Sequence, residues 1–95
     1  MNTILQQLGG NKFIAMTGAK NFVQDGDKML AFSLPRGADN GINKIKITLQ
    51  NNDLYWIEFY KLRGVELTGV DMSFDIYADK LQETFTNITG LDTHL

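Results

Sequence analysis

One histidine, His94, and eleven carboxylates are the side chains of this 95-residue, cysteine-free chain best suited to acid–base or metal chemistry. His94 stands one residue from the end of the sequence, where a general base lacks the neighbours that would hold it against a substrate. With no thiol and one imidazole, zinc centres and Cys-His or Ser-His-Asp arrangements are not expected, and neither a metal nor a cofactor is assigned. The carboxylates gather in two places: Asp71, Asp75 and Asp79 recur every four residues, and Asp25 and Asp27 flank Gly26. Such sets suit a hard cation in principle. The plainer reading makes Asp25-Gly26-Asp27 a tight turn and places Asp75 and Asp79 at the entry of a helix, as cap and dipole partner. The chain is therefore read as non-enzymatic.

Recognition chemistry is more visible. Lys44 and Lys46 alternate with Ile45 and Ile47, and Trp56 and Tyr60 alternate with Ile57 and Phe59. Cations interleaved with aromatics let a sheet track phosphates and stack bases, so a module for single-stranded nucleic acid is one reading. Against it, Glu58 falls in the middle of the set and the net charge is −2. An exposed Trp/Tyr patch is also how protein interfaces begin, and protein binding or self-association is the reading adopted. The candidate binding residues are Arg36, Lys44, Lys46, Trp56 and Tyr60, with Arg36 on a glycine-rich loop at 35–41.

These residues share a surface only if two strands pair in one particular parity. Over 43–61, Ile45, Ile47 and Leu49 form one face of a period-two strand, and Tyr55, Ile57 and Phe59 form one face of the next. Setting Leu49 opposite Leu54 would mix core with charge, because a slip of one residue turns every side chain over. Burial therefore selects the parity that places Ile47 opposite Tyr55 or Ile57 and Lys44 or Lys46 opposite Glu58. That requires an odd connection of three or five residues, with Asn51 or Asn52 in the left-handed region. The Lys–Glu pair adds only about 0.2–1 kcal/mol, so the apolar face sets the register.

The remaining chain supplies cover. Thr3 to Leu8 predicts a short helix capped by Asn2 or Thr3 and ended by Gly9-Gly10. Lys12 to Thr17 reads as a strand, Ala19 to Gln24 as an extension burying Phe22 or Val23, and Lys28 to Leu34 as a strand with Leu30, Phe32 and Leu34 inward. Arg63-Gly64 turns the chain into a strand over 65–72. Tyr77, Leu81, Phe85 and Ile88 then form the apolar stripe of a helix from about Asp75 or Ile76 to about Thr89, closed by Gly90. The expected fold is α+β: one domain, 1–95, with a four- to five-stranded antiparallel meander, a short N-terminal helix and a C-terminal helix on one sheet face. No apolar run reaches the ~20 residues needed to cross a bilayer, and no leader is visible, so a cytoplasmic protein without membrane partners is expected. Charge is uneven: residues 1–50 carry six Lys/Arg against three Asp, and residues 51–95 carry three against eight Asp/Glu.

Three stretches stand out together: Gly9-Gly10-Asn11-Lys12-Phe13-Ile14-Ala15-Met16-Thr17-Gly18-Ala19-Lys20-Asn21-Phe22, Tyr77-Ala78-Asp79-Lys80-Leu81-Gln82-Glu83-Thr84-Phe85, and Thr89-Gly90-Leu91-Asp92-Thr93-His94-Leu95. On these the chain resembles small proteins of unknown function encoded by bacteriophages and prophages, over nearly its whole length. The resemblance implies a phage origin and action in the host cytoplasm; together with the exposed Trp/Tyr patch, the expectation is an accessory protein of a phage or mobile element that binds a host or phage protein or itself. It implies no catalytic role for any residue.

Overall fold

The computed structural model describes residues 2–35 and 38–93. Among these residues the order is α1 (Thr3–Leu8), α2 (Asn11–Thr17), β1 (Lys20–Asp25), β2 (Met29–Ser33), β3 (Lys44–Leu49), β4 (Tyr55–Arg63), β5 (Glu66–Ile76) and α3 (Leu81–Thr89). The five strands form one antiparallel sheet in sequence order, a meander.

The expected parity is the one found. Ile47 faces Ile57, Lys46 faces Glu58, and Ile45 faces Phe59. Leu49 pairs with Tyr55, so residues 50–54 make an odd, five-residue connection. The left-handed residue there is Asp53, at φ 64°, rather than Asn51 or Asn52. Asn52 Oδ1 accepts the N–H of Leu54 at 3.1 Å, and this side-chain turn hands the positive φ to the residue between them. Leu30, Phe32 and Leu34 face inward beside Ile45, Ile47, Tyr55, Ile57 and Phe59.

The helices meet that inner face. Asn2 caps α1, its Oδ1 accepting the N–H groups of Ile4 and Leu5, while its Nδ2 donates to the Gly26 carbonyl. The Thr3 N–H donates to Asp27 at 2.8 Å and holds that carboxyl below the usual aspartate range. The start of α1 is thus tied to the β1–β2 turn. Ile4, Leu5 and Leu8 are buried, and at the far end of the chain Gln82 Nε2 donates to the Leu8 carbonyl. Phe13 of α2 lies edge-on to Phe32 and to Phe85 of α3, with ring centroids 5.5 and 5.2 Å away. Edge-to-face contacts of this kind each add about 0.5–1.5 kcal/mol beyond area burial.

Three expectations are corrected. Lys12–Thr17 is helical, because Phe13 and Thr17, four residues apart, are the buried pair, and period two does not describe them. Gly10 and Gly18, both at positive φ, bracket that helix, and the Gly18 N–H closes it on the Ile14 carbonyl at 2.9 Å. Along β1, Phe22 and Val23 are exposed rather than buried; a bulge at Asn21, φ 57°, breaks the alternation. At the other end β5 runs to Ile76, and α3 begins only at Leu81 after a 3-10 turn at Ala78–Lys80. Asp75 is therefore not a helix cap. It sits at φ 56° in a bulge where Phe74 and Asp75 together oppose Trp56. Tyr77 is 64% exposed and lies outside the contact between α3 and the sheet, while the buried side chains of α3 are Leu81, Phe85 and Thr89.

Candidate functional site

With the helices on one side, the other side of the sheet carries the candidate residues. Lys44 stands between Ser33 and Tyr60, and Lys46 stands between Ala31 and Glu58. Trp56 is paired with Thr48 and is half-buried, and Lys46 is exposed. Strand pairing thus brings Lys44, Lys46, Trp56 and Tyr60 onto one surface. Arg36 lies outside the described residues, as does His94.

The pairing also divides this surface. The cations Lys44 and Lys46 occupy β3, in the middle of the sheet. Over β4 and β5 the same face presents Leu62, Leu67, Met72 and Phe74, which are 36, 52, 51 and 54% exposed. Phe74 stacks on Trp56, with centroids 5.1 Å apart and an interplanar angle of 22°. The indole N–H is buried beneath this packing and has no hydrogen-bond partner. The strand expected over 65–72 contains Leu67 and Met72 but stops short of Phe74, because Asp75 reads as the cap of the following helix. The signal for Phe74 is its alternation with Met72 across Asp71 and Ser73, which ends at the Phe74–Asp75 bulge.

Glu58 sits between the two halves and is only 9% exposed. Its carboxylate accepts a hydrogen bond from the Tyr60 hydroxyl. Tyr60 holds its proton above the usual phenol range, first because of that bond, then through burial and the nearby Glu58 charge. The expected Lys46–Glu58 pair is adjacent in register but forms no salt bridge; among the described residues the ion pair is Lys80–Glu83 at 3.8 Å. Beside Glu58, on the β5 side, opens a hollow of about 300 Å³ lined by Tyr60, Gly69, Val70, Asp71 and Met72. It exists because Val70 is the extra residue of a second β5 bulge, between the Phe59–Asp71 and Tyr60–Gly69 pairs, and Gly69 adds no side chain.

The other carboxylates serve local structure. Asp71 accepts the Met72 N–H, Asp75 accepts Asn52 Nδ2, and among the described residues no three acid or histidine side chains gather as a metal site. None of the described helices is long and apolar enough to cross a membrane. Searches of family models, of curated proteins and of solved structures find no match to the chain.

Proposed function

We propose that this protein is a non-enzymatic accessory protein of a phage or mobile element, acting in the host cytoplasm by binding another protein through the helix-free face of its sheet. The observation that carries this reading is the row Leu62, Leu67, Met72 and Phe74, exposed beside Trp56 on a face that the helices leave open. Contiguous apolar and aromatic side chains rimmed by charge are the composition of a protein interface. Single-stranded nucleic acid is the weaker reading. Lys44 and Lys46 favour it, but Glu58 interrupts the basic set, and Phe74 already covers one face of the indole on which a base would stack.

Affinity capture from bacterial lysate, with nuclease-treated and untreated arms, separates the two. The expected result is a protein retained in both arms and lost with the double substitution Leu67→Ser/Phe74→Ser. Truncating two anchors at a hot spot costs ~2 kcal/mol or more, about thirtyfold in affinity. Recovery only in the untreated arm, with Lys46→Ala abolishing it, would replace this reading with nucleic-acid binding.

A further inference from the structure

The sheet ends in two unlike edges, β1 and β5. At β1 the bulge at Asn21 breaks the line between Lys20 and Val23. β5 runs eleven residues, and Glu66 to Gly69 are exposed without a break. Backbone direction along this stretch follows from its neighbour β4. Asn43, just before β3, accepts the Leu62 N–H at 2.7 Å and donates through Nδ2 to the Leu62 carbonyl at 2.9 Å. The Asn43 N–H donates to the Tyr60 carbonyl at 3.0 Å. Leu62 and Tyr60 therefore turn their main-chain groups toward β3, away from β5. Their β5 partners, Leu67 and Gly69, form the non-hydrogen-bonded pairs of the ladder and turn theirs to the open edge. Beyond them the edge is interrupted, because Val70 bulges and the Asp71 carboxylate takes the Met72 N–H at 2.7 Å.

From this we infer that Glu66–Gly69 takes an extended segment of the bound protein as an added strand. Leu67 and Gly69 each present an N–H and a carbonyl, the main-chain contacts by which a strand joins an edge. The inference rests on the reading of this protein as one that binds another protein, and it names the shape the partner presents. On the open face Leu67 stands beside Leu62, so the partner residue opposite Leu67 is apolar and lengthens the exposed row. The residue opposite Gly69 has room for bulk, because Gly69 leaves the hollow beside the Tyr60 ring unfilled. Glu66 and Thr68 turn to the other face, so the alternate partner residues are polar. A second copy is a poor occupant. Pairing Leu67 with Gly69 of the copy runs each Val70 bulge against the other chain's Glu66. In addition, β5 holds Glu66, Asp71 and Asp75 with no base to offset them.

The test is amide-shift titration of the isotope-labelled protein with the end-blocked peptide Lys-Val-Thr-Val-Thr-Val-Lys, alongside the same peptide N-methylated at every central residue. The unmodified peptide is expected to shift the amides of Leu67, Thr68 and Gly69 saturably. The N-methylated one, with the same charge and side chains, should leave them in place. Leu67→Pro removes an N–H that faces away from β4 and so spares the ladder. It should weaken the peptide about fivefold or more, the worth of one main-chain hydrogen bond. Equal shifts with the N-methylated peptide, unchanged binding to Leu67→Pro, or no response to the unmodified peptide would each overturn the inference. No peptide response, with lysate capture still lost in Leu67→Ser/Phe74→Ser, would remove the added strand and leave the wider face standing.

Discussion

Tyr60 and Glu58 set the character of the open face at the smallest scale. A phenol that donates to a carboxylate must break that bond to ionise, so the folded protein binds this proton more tightly than the unfolded chain does. The linked stability is complete below the ordinary tyrosine value, near pH 10, and is lost as pH rises through the raised value. Following the Tyr60 ring signals against pH should therefore give a midpoint above the ordinary value, and Glu58→Gln should bring it down. An unchanged midpoint in Glu58→Gln would show that the bond is not the cause. The alternation of Lys44, Lys46, Trp56 and Tyr60 made their shared face legible in the sequence, because a period of two needs no tertiary information. The partner of Glu58 was not legible. Lys46 is its cross-strand neighbour, but Tyr60, two residues along the same strand face, reaches the carboxylate instead.

Elements were read well where one face is plainly apolar and poorly where both are. In Lys12–Thr17 the residues Phe13, Ile14, Ala15 and Met16 offer apolar groups at every step, so periodicity alone does not separate strand from helix. The glycines at 10 and 18 decide it by their positive φ. Strand β5 was shortened in the sequence reading because its bulges at Val70 and Asp75 break the parity that marks a strand. The seam between α3 and the sheet survives that misplacement, since Leu81 and Phe85 are fully buried although Tyr77 is not. Phe85 touches Phe13 of α2 and lies 6.4 Å, ring to ring, from Phe32 of β2, so one side chain joins three elements. Phe85→Ala should destabilise the fold by about 3–5 kcal/mol in urea unfolding. A cost under about 1 kcal/mol would mean that this ring does not close the core.

At the scale of the whole molecule, the sheet has two unlike sides. One meets α1, α2 and α3 around the buried phenylalanines, and the other stays open, with cations along β3 and aromatic and aliphatic side chains over β4 and β5. An open antiparallel sheet tolerates a solvated face when that face is polar, and here the β4–β5 half is not. The account therefore stands on which side of the molecule meets a partner. Site-specific photo-crosslinking reads this directly, with p-benzoylphenylalanine in place of Phe74 on the open face or of Glu83 on the exposed side of α3. In nuclease-treated bacterial lysate, a discrete protein adduct is expected from position 74 and none from position 83. Adducts from position 83 alone, or equal labelling at both positions, would contradict the assignment of the open sheet face as the binding surface.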